Sequence, residues 1–108
     1  MKRGDVWWVN FDPAVGGEIK KIRPAIIVSN DASNEHMNRV QVIPLTSNVS
    51  RLYPCECAVT VAGKTSKAMA DQIMTVSKTR LTNRLGAVSP EGMEAVERII
   101  RVQLGLGA

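Results

Sequence analysis

The chain has 108 residues, 44% of them hydrophobic, and carries a formal net charge of +4. That length holds one modest core and excludes two domains of ordinary size, and the hydrophobic share excludes a disordered chain. The basic balance favours an acidic partner such as nucleic acid, although surplus surface lysines give the same balance.

The segment "MKRGDVWW" starts basic, but no apolar stretch follows it, so no signal peptide is expected. No segment reaches the roughly 18 apolar residues of a membrane span, and no membrane partner is expected. "DVWWVNF" (5–11) is rich in β-forming residues and predicts a strand. Trp7 and Trp8 point to opposite faces of it, so one belongs to the core and the other is open to an interface or a stacked ring. "DPAVGGEIKKIR" (12–23) predicts a loop, opened by Asp-Pro and loosened by Gly16-Gly17. It is long for a hairpin connection, and long loops in compact domains are often functional.

"PAIIVS" (24–29) predicts a strand that is apolar on both faces and therefore central. "NDASNEHMN" (30–38) predicts a cap and a short helix or turn, with Asn30 or Asp31 as N-cap. "RVQVIPLTS" (39–47) predicts a third strand, with Val40 and Val42 on one face and Gln41, Ile43 and Leu45 on the other. Pro44 cannot donate to a ladder, so an edge or a strand end is expected for it.

"NVSRLYP" (48–54) is a connection, "CECAVTVA" (55–62) a strand, "GKTS" (63–66) a turn and "KAMADQIMTVS" (67–77) holds another strand. Cys55 and Cys57 lie too close along one strand to meet disulfide geometry readily. Two cysteines and one histidine are too few for a closed zinc site, so neither metal nor cofactor is expected. The reading is a reduced, cytoplasmic protein. "KTRLTNR" (78–84) has room for one helical turn and "GAV" (86–88) for a short strand. "SPEGMEAVERIIRVQLGLGA" (89–108) is the clear helix, with Ser89 as N-cap, Pro90 at the first position and Gly105 and Gly107 at its end. Met93, Val96, Ile100 and Gln103/Leu104 follow the 3–4 spacing of an apolar stripe, with Ile99 beside them. Short strands followed by one terminal helix predict a small, strongly bent antiparallel sheet or barrel, in one domain over 1–108.

If the second and third strands are antiparallel, one rim collects chemistry-bearing residues. Pairing 28 with 41 sets Arg23 opposite Thr46, and the first strand reaches the same rim at Asn10 and Phe11. Ser47 follows Thr46, and Lys20 and Lys21 lie on the loop beside it. Pro24 holds Arg23 out of the helical region. A planar, always-charged guanidinium beside a hydroxyl suits a phosphoryl group that gains negative charge. Each residue also has a plain alternative. Arg23 could pair with Glu18 or Asp12, Thr46-Ser47 and Asn10 could be turn formers, and Gln72 could be a satisfied amide in an apolar strand. No catalytic triad, P-loop or carboxylate pair is present.

The segments "KRGDVWWVNFDPAVGGE", "RPAIIVSND", "VIPLTS" and "DQIMTVSKTRL", followed by a closing helix, resemble the MazF/PemK family of toxin endoribonucleases along almost the whole chain. The resemblance implies a mainly β fold with α, a small SH3-like antiparallel β-barrel with a C-terminal helix, acting as a homodimer. It implies metal-independent cutting of single-stranded RNA at a short motif, leaving a 2′,3′-cyclic phosphate and a 5′-hydroxyl, and neutralisation by a cognate antitoxin. The family's catalytic arginine and threonine fall on Arg23 and Thr46. Asn10, Phe11, Glu18, Lys20, Lys21, Ser47, Gln72 and Lys78 are then the RNA-binding candidates, with core packing the stronger role for Phe11. Two alternatives remain at this level: a gyrase-poisoning toxin of the same fold, disfavoured by the ending "QLGLGA" without tryptophan, and a non-catalytic RNA-binding barrel.

Overall fold

A computed structural model describes residues 1–107. Its strands are β1 (Asp5–Asn10), β2 (Ile22–Ile27), β3 (Arg39–Thr46), β4 (Glu56–Val61), β5 (Lys64–Met69), β6 (Met74–Ser77) and β7 (Leu81–Ala87), and its helices are α1 (Asp31–His36) and α2 (Pro90–Leu104). The strands run in the order β4-β5-β3-β2-β1-β7, with β6 also paired to β3. These strands pair antiparallel throughout. The fold is thus mainly β, a strongly curled antiparallel sheet with a C-terminal helix.

β2 and β3 pair as Ala25–Pro44, Ile26–Ile43 and Ile27–Val42. Beyond the ladder, the Val28 amide donates to the Gln41 carbonyl at 2.9 Å. The register is the expected one. Alternation along these strands feeds two separate cores. Ile26, Ile43 and Leu45 join Val6, Val59, Val96 and Ile99 between the sheet and α2. Ala25, Ile27, Val40 and Val42 join Val9, Phe11, Val76 and Leu81 on the other face. A strand buried on both faces reads as a continuous apolar run, which is what "AIIV" is.

Pro44 lies within a central strand and not at its end. β3 hands its second edge from β6, which takes Arg39 to Val42, to β5, which takes Leu45 and Thr46. Pro44 falls in the gap between these partners, where neither needs an amide from it. The stretch 67–77 divides into β5, a 3₁₀ turn at Ala70–Gln72 and β6. The expected helical turn at 78–84 shortens to Lys78–Arg80, and β7 takes the rest. Thr82, Asn83 and Arg84 are exposed on it, so β7 lacks the apolar run that would have marked it. Both cysteines are free; Cys57 is buried in the first core, and that burial pushes its thiol pKa up.

α2 starts where Ser89 Oγ accepts the Gly92 amide at 3.0 Å. It stops at Gly105 in the left-handed region, φ 69°, whose amide turns back to the helix. Val96 and Ile99 are buried, but Leu104 at 51% exposed stands outside the stripe assigned to it. No helix among the described residues is long and apolar enough to cross a membrane.

Gly92 is set by close approach. A Cβ there would stand well inside contact distance of Val88 Cγ1, and Val88 is a buried, β-branched residue with little freedom to yield. Glycine to alanine inside a helix normally gains roughly 0.5–1 kcal/mol. Here Gly92→Ala should instead lower stability, by about 1–3 kcal/mol of overpacking, read from urea or thermal melts.

Candidate active site

The first strand, the second and the third all end at one rim. Val9 pairs with Arg23 and Asn10 with Ile22 across β1 and β2. The β2–β3 ladder ends at Ala25–Pro44, and just beyond it Arg23 and Thr46 leave the two strands on the same rim. Arg23, Thr46 and Ser47 line one cleft of about 350 Å³. Its apolar wall comes from Trp8, Ile22, Pro24, Leu45 and Leu85, and the β4–β5 hairpin adds Lys64 and Ser66. A volume in this range suits a small ligand or one unit of a polymer.

Arg23 is half-buried, and its Nε donates to the Lys20 carbonyl at 3.2 Å. The carboxylates that could have neutralised it are engaged elsewhere. Asp12 Oδ1 accepts the Lys21 amide at 2.8 Å, and Glu18 Oε1 accepts the Val15 amide at 2.8 Å. The ion pairs among the described residues are Arg3–Glu97, Lys67–Glu56 and Arg84–Asp5, so Arg23 has no carboxylate partner there. Its positive charge therefore faces the cleft uncompensated. Thr46 Oγ1 accepts the Asn48 amide over a long 3.4 Å, and this contact does not use the hydroxyl proton.

The loop at 12–21 is fastened at several points. Asn10 Oδ1 accepts the Asp12 amide at 3.0 Å, and Arg80 donates to the carbonyls of Asn10 and Asp12 at 3.0 and 2.6 Å. Gln72 holds the far side of the loop: it accepts the Ile19 amide at 3.1 Å and donates to the Gly17 carbonyl at 3.2 Å. Lys20 and Lys21 are exposed on this loop, Lys21 in the left-handed region at φ 69°. Asn10, Glu18 and Gln72 thus build the loop from within, and their side-chain carbonyl and carboxyl oxygens already serve backbone amides.

Two predicted residues are displaced from the rim. Phe11 is 3% exposed in the second core, so no face of its ring is open to a base. Lys78 lies at the other end of β3. Its amide bonds the Asn38 carbonyl, its ammonium donates to the Asn34 carbonyl, and it lines a separate hollow with Lys2, Asp31 and Glu35.

Sequence reading missed Lys67, Lys64 and Tyr53. Lys67 pairs with Thr46 across β3 and β5, and opposite residues of an antiparallel pair share a face. It is 9% exposed, and its Nζ lies 3.2 Å from Glu56 Oε1 and 3.0 Å from the Arg51 carbonyl. Nothing in the local pattern distinguishes Lys67 from a surface lysine; only the β3–β5 register places it. Among the described residues no group of three or more His, Cys, Asp or Glu side chains is arranged to hold a metal ion.

The chain belongs to the family described as "PemK-like, MazF-like toxin of type II toxin-antitoxin system", which it matches over residues 2–104. It is 35% identical to "Endoribonuclease MazF9" of Mycobacterium tuberculosis, over 98% of both chains. Among solved structures, it resembles the "Endoribonuclease in complex with its cognate antitoxin from Mycobacterial species", at TM-score 0.84, 29% identity and 100% and 98% coverage. It also resembles MazF (Form-I) from Deinococcus radiodurans, at TM-score 0.86, 26% identity and 97% and 96% coverage.

Removing the Gln72 bonds should loosen the loop without unfolding the sheet. In Gln72→Leu, amide exchange at Ile19 should quicken by roughly fivefold, the equivalent of about 1 kcal/mol per hydrogen bond, while amides of β2 and β3 keep their protection. Unchanged exchange at Ile19 would remove Gln72 from loop anchoring.

Proposed function

We propose that this protein is a toxin endoribonuclease that cuts single-stranded RNA at a short motif without a metal. The observation that supports this most is the pairing of an uncompensated Arg23 guanidinium with the Thr46 hydroxyl in one cleft. The relatives named as endoribonucleases and the structure determined with an antitoxin support the same reading. In that reading the 108-residue chain is one toxin domain that works as a cytoplasmic homodimer and is neutralised by a cognate antitoxin.

The chemistry needs few parts. The ribose 2′-oxygen attacks the adjacent 3′-phosphorus and loses its proton to solvent or a neighbouring base. A new P–O bond forms, the P–O bond to the 5′-oxygen breaks, and that oxygen leaves as a hydroxyl after taking up a proton. The products are a 2′,3′-cyclic phosphate and a 5′-hydroxyl. Because the nucleophile is part of the substrate, positioning and charge stabilisation supply most of what the protein must contribute. Arg23 neutralises charge building on the non-bridging oxygens, which a planar fork of donors does better than a lysine. As an always-charged guanidinium it is a poor general base, and no such role is given to it. Thr46 donates to the same phosphate and holds it in line. Lys20 and Lys21 lie on the loop beside Arg23 and attract the RNA backbone.

Incubation with labelled single-stranded RNA in EDTA tests this. The wild-type protein should cut, and Arg23→Ala should be slower by at least roughly 10²-fold, the usual loss for a donor to a developing oxyanion, with its melting temperature retained. Near-normal cutting by Arg23→Ala would exclude it from the chemistry. Binding without cutting would indicate an RNA-binding module, and neither would point to a protein target. Affinity should also fall with salt, with log K changing by about −0.7 per phosphate contact for each unit of log salt, and the double variant Lys20→Ala/Lys21→Ala should show a shallower slope.

A further inference from the structure

The connection at 47–55 carries a second, unassigned arrangement beside the cleft. Tyr53 is 52% exposed, and both its backbone and its ring have partners. Its backbone amide donates to Glu56 Oε1 at 2.9 Å, and its carbonyl accepts the Glu56 amide at 2.9 Å. The Glu56 carboxylate is fixed in turn by Lys67 at 3.2 Å. Two cations lie over the ring: Arg51 Cζ is 5.7 Å and Lys67 Nζ 5.9 Å from its centre. Arg51 also donates to the Tyr53 hydroxyl at 3.3 Å.

The turn bonds at 53–56 fix its backbone, and the cations restrain its ring. Burial does not explain it, because more than half of its surface is open. A solvent-facing ring that cations already contact offers its open surface to an unpaired base, as binders of single-stranded nucleotides do. Its location fits that role. Lys67, which reaches the ring, is the cross-strand partner of Thr46, so the ring lies one strand and one lysine side chain from the reacting centre.

We propose that Tyr53 is a base-stacking residue, taking the base of a nucleotide that flanks the scissile phosphate, with Lys67 and Glu56 holding it in place. This rests on the reading of the cleft as an RNA-cleaving site. The ligand is a single-stranded ribonucleotide segment, since a base paired in a duplex is not free to leave its stack. Restraint before binding lowers the entropy lost when the base docks. Lys67 acts through Tyr53 and is a positioning residue.

The test maps the cut by primer extension on a long RNA and then uses a 2′-O-methyl single-stranded oligonucleotide of that sequence, which binds but cannot be cut. If no cut is found, a mixed-sequence 2′-O-methyl oligonucleotide pool replaces it. Anisotropy gives Kd for the wild type, Tyr53→Phe, Tyr53→Trp and Tyr53→Leu, each checked by melting. Tyr53→Leu should bind roughly 5- to 150-fold more weakly, the usual range for losing one stacked base. Phe and Trp should stay within about threefold, because they keep the ring face. With abasic positions placed one at a time in the oligonucleotide, or in a fixed-sequence member of the pool, one position should weaken the wild type and cost Tyr53→Leu nothing further.

A structural role alone would not produce that selective cancellation. Equal Kd for wild type and Tyr53→Leu, equal loss in the Trp and Leu variants, or abasic costs identical in every protein would each overturn stacking. A wild type that cuts RNA while its binding ignores Tyr53 loses only this proposal. One that binds without cutting, with the abasic signature intact, loses only the nuclease reading. One that does neither loses both.

Discussion

The register between β2 and β3 is the constraint on which the rest of the molecule depends. Ala25 and Ile27 feed one core and Ile26 the other, and β3 answers with Val42 on the first side and Ile43 and Leu45 on the second. A slip of one residue along β2 would exchange its two sets, putting Ile26 on the side where Ala25 is accommodated. Burial on both faces therefore fixes the pairing far more firmly than backbone hydrogen bonds alone could. The position of Arg23 beside Thr46 follows from that packing. Two apolar cores hold a charged residue and a hydroxyl in place without either entering the core.

The charge arrangement follows the same division. The loop at 12–21 contains the acidic residues closest in sequence to Arg23, and its own turns occupy both of them: Asp12 serves the Lys21 amide and Glu18 the Val15 amide. Gln72 and Arg80 brace the loop from opposite sides. A guanidinium left without an anion in a partly apolar cleft gains most from a ligand that brings one. On the far side of Thr46, Lys67 is fully engaged by Glu56 and by the Arg51 carbonyl, so its buried charge acts on the connecting loop. Arg23 and Lys67 thus flank one hydroxyl with different duties, one open and one structural.

Much of this was legible in the residues, for identifiable reasons. "PAIIVS" and "RVQVIPLT" announce central strands because alternation and burial leave few other solutions, and Ser89, Pro90 and Gly105 mark α2 by local chemistry. β7 was obscured because its exposed middle, Thr82 to Arg84, carries no apolar pattern; its place is decided by pairing with β1. Pro44 misled because a residue that cannot donate is expected at an edge or a strand end, and β3 instead changes partners there. The rim at Arg23 and Thr46 was accessible because it depends on one hairpin register. Lys67 and Tyr53 were not, because they depend on β5 meeting β3 across a long excursion, and no local signal encodes that meeting. Lys78 shows the converse: residue type suggested contact with RNA, and topology put it at the opposite end of β3, while Phe11 takes the core role given to it as the stronger one.

The central claim is that Arg23 and Thr46 act on one phosphate. A double-mutant cycle on single-turnover RNA cleavage addresses it most directly, using Arg23→Ala, Thr46→Val and the two combined. Residues that serve one phosphate as a unit are strongly non-additive, so the combined variant should cleave about as slowly as the slower single variant. Losses that multiply, with no coupling between the two sites, would contradict the account.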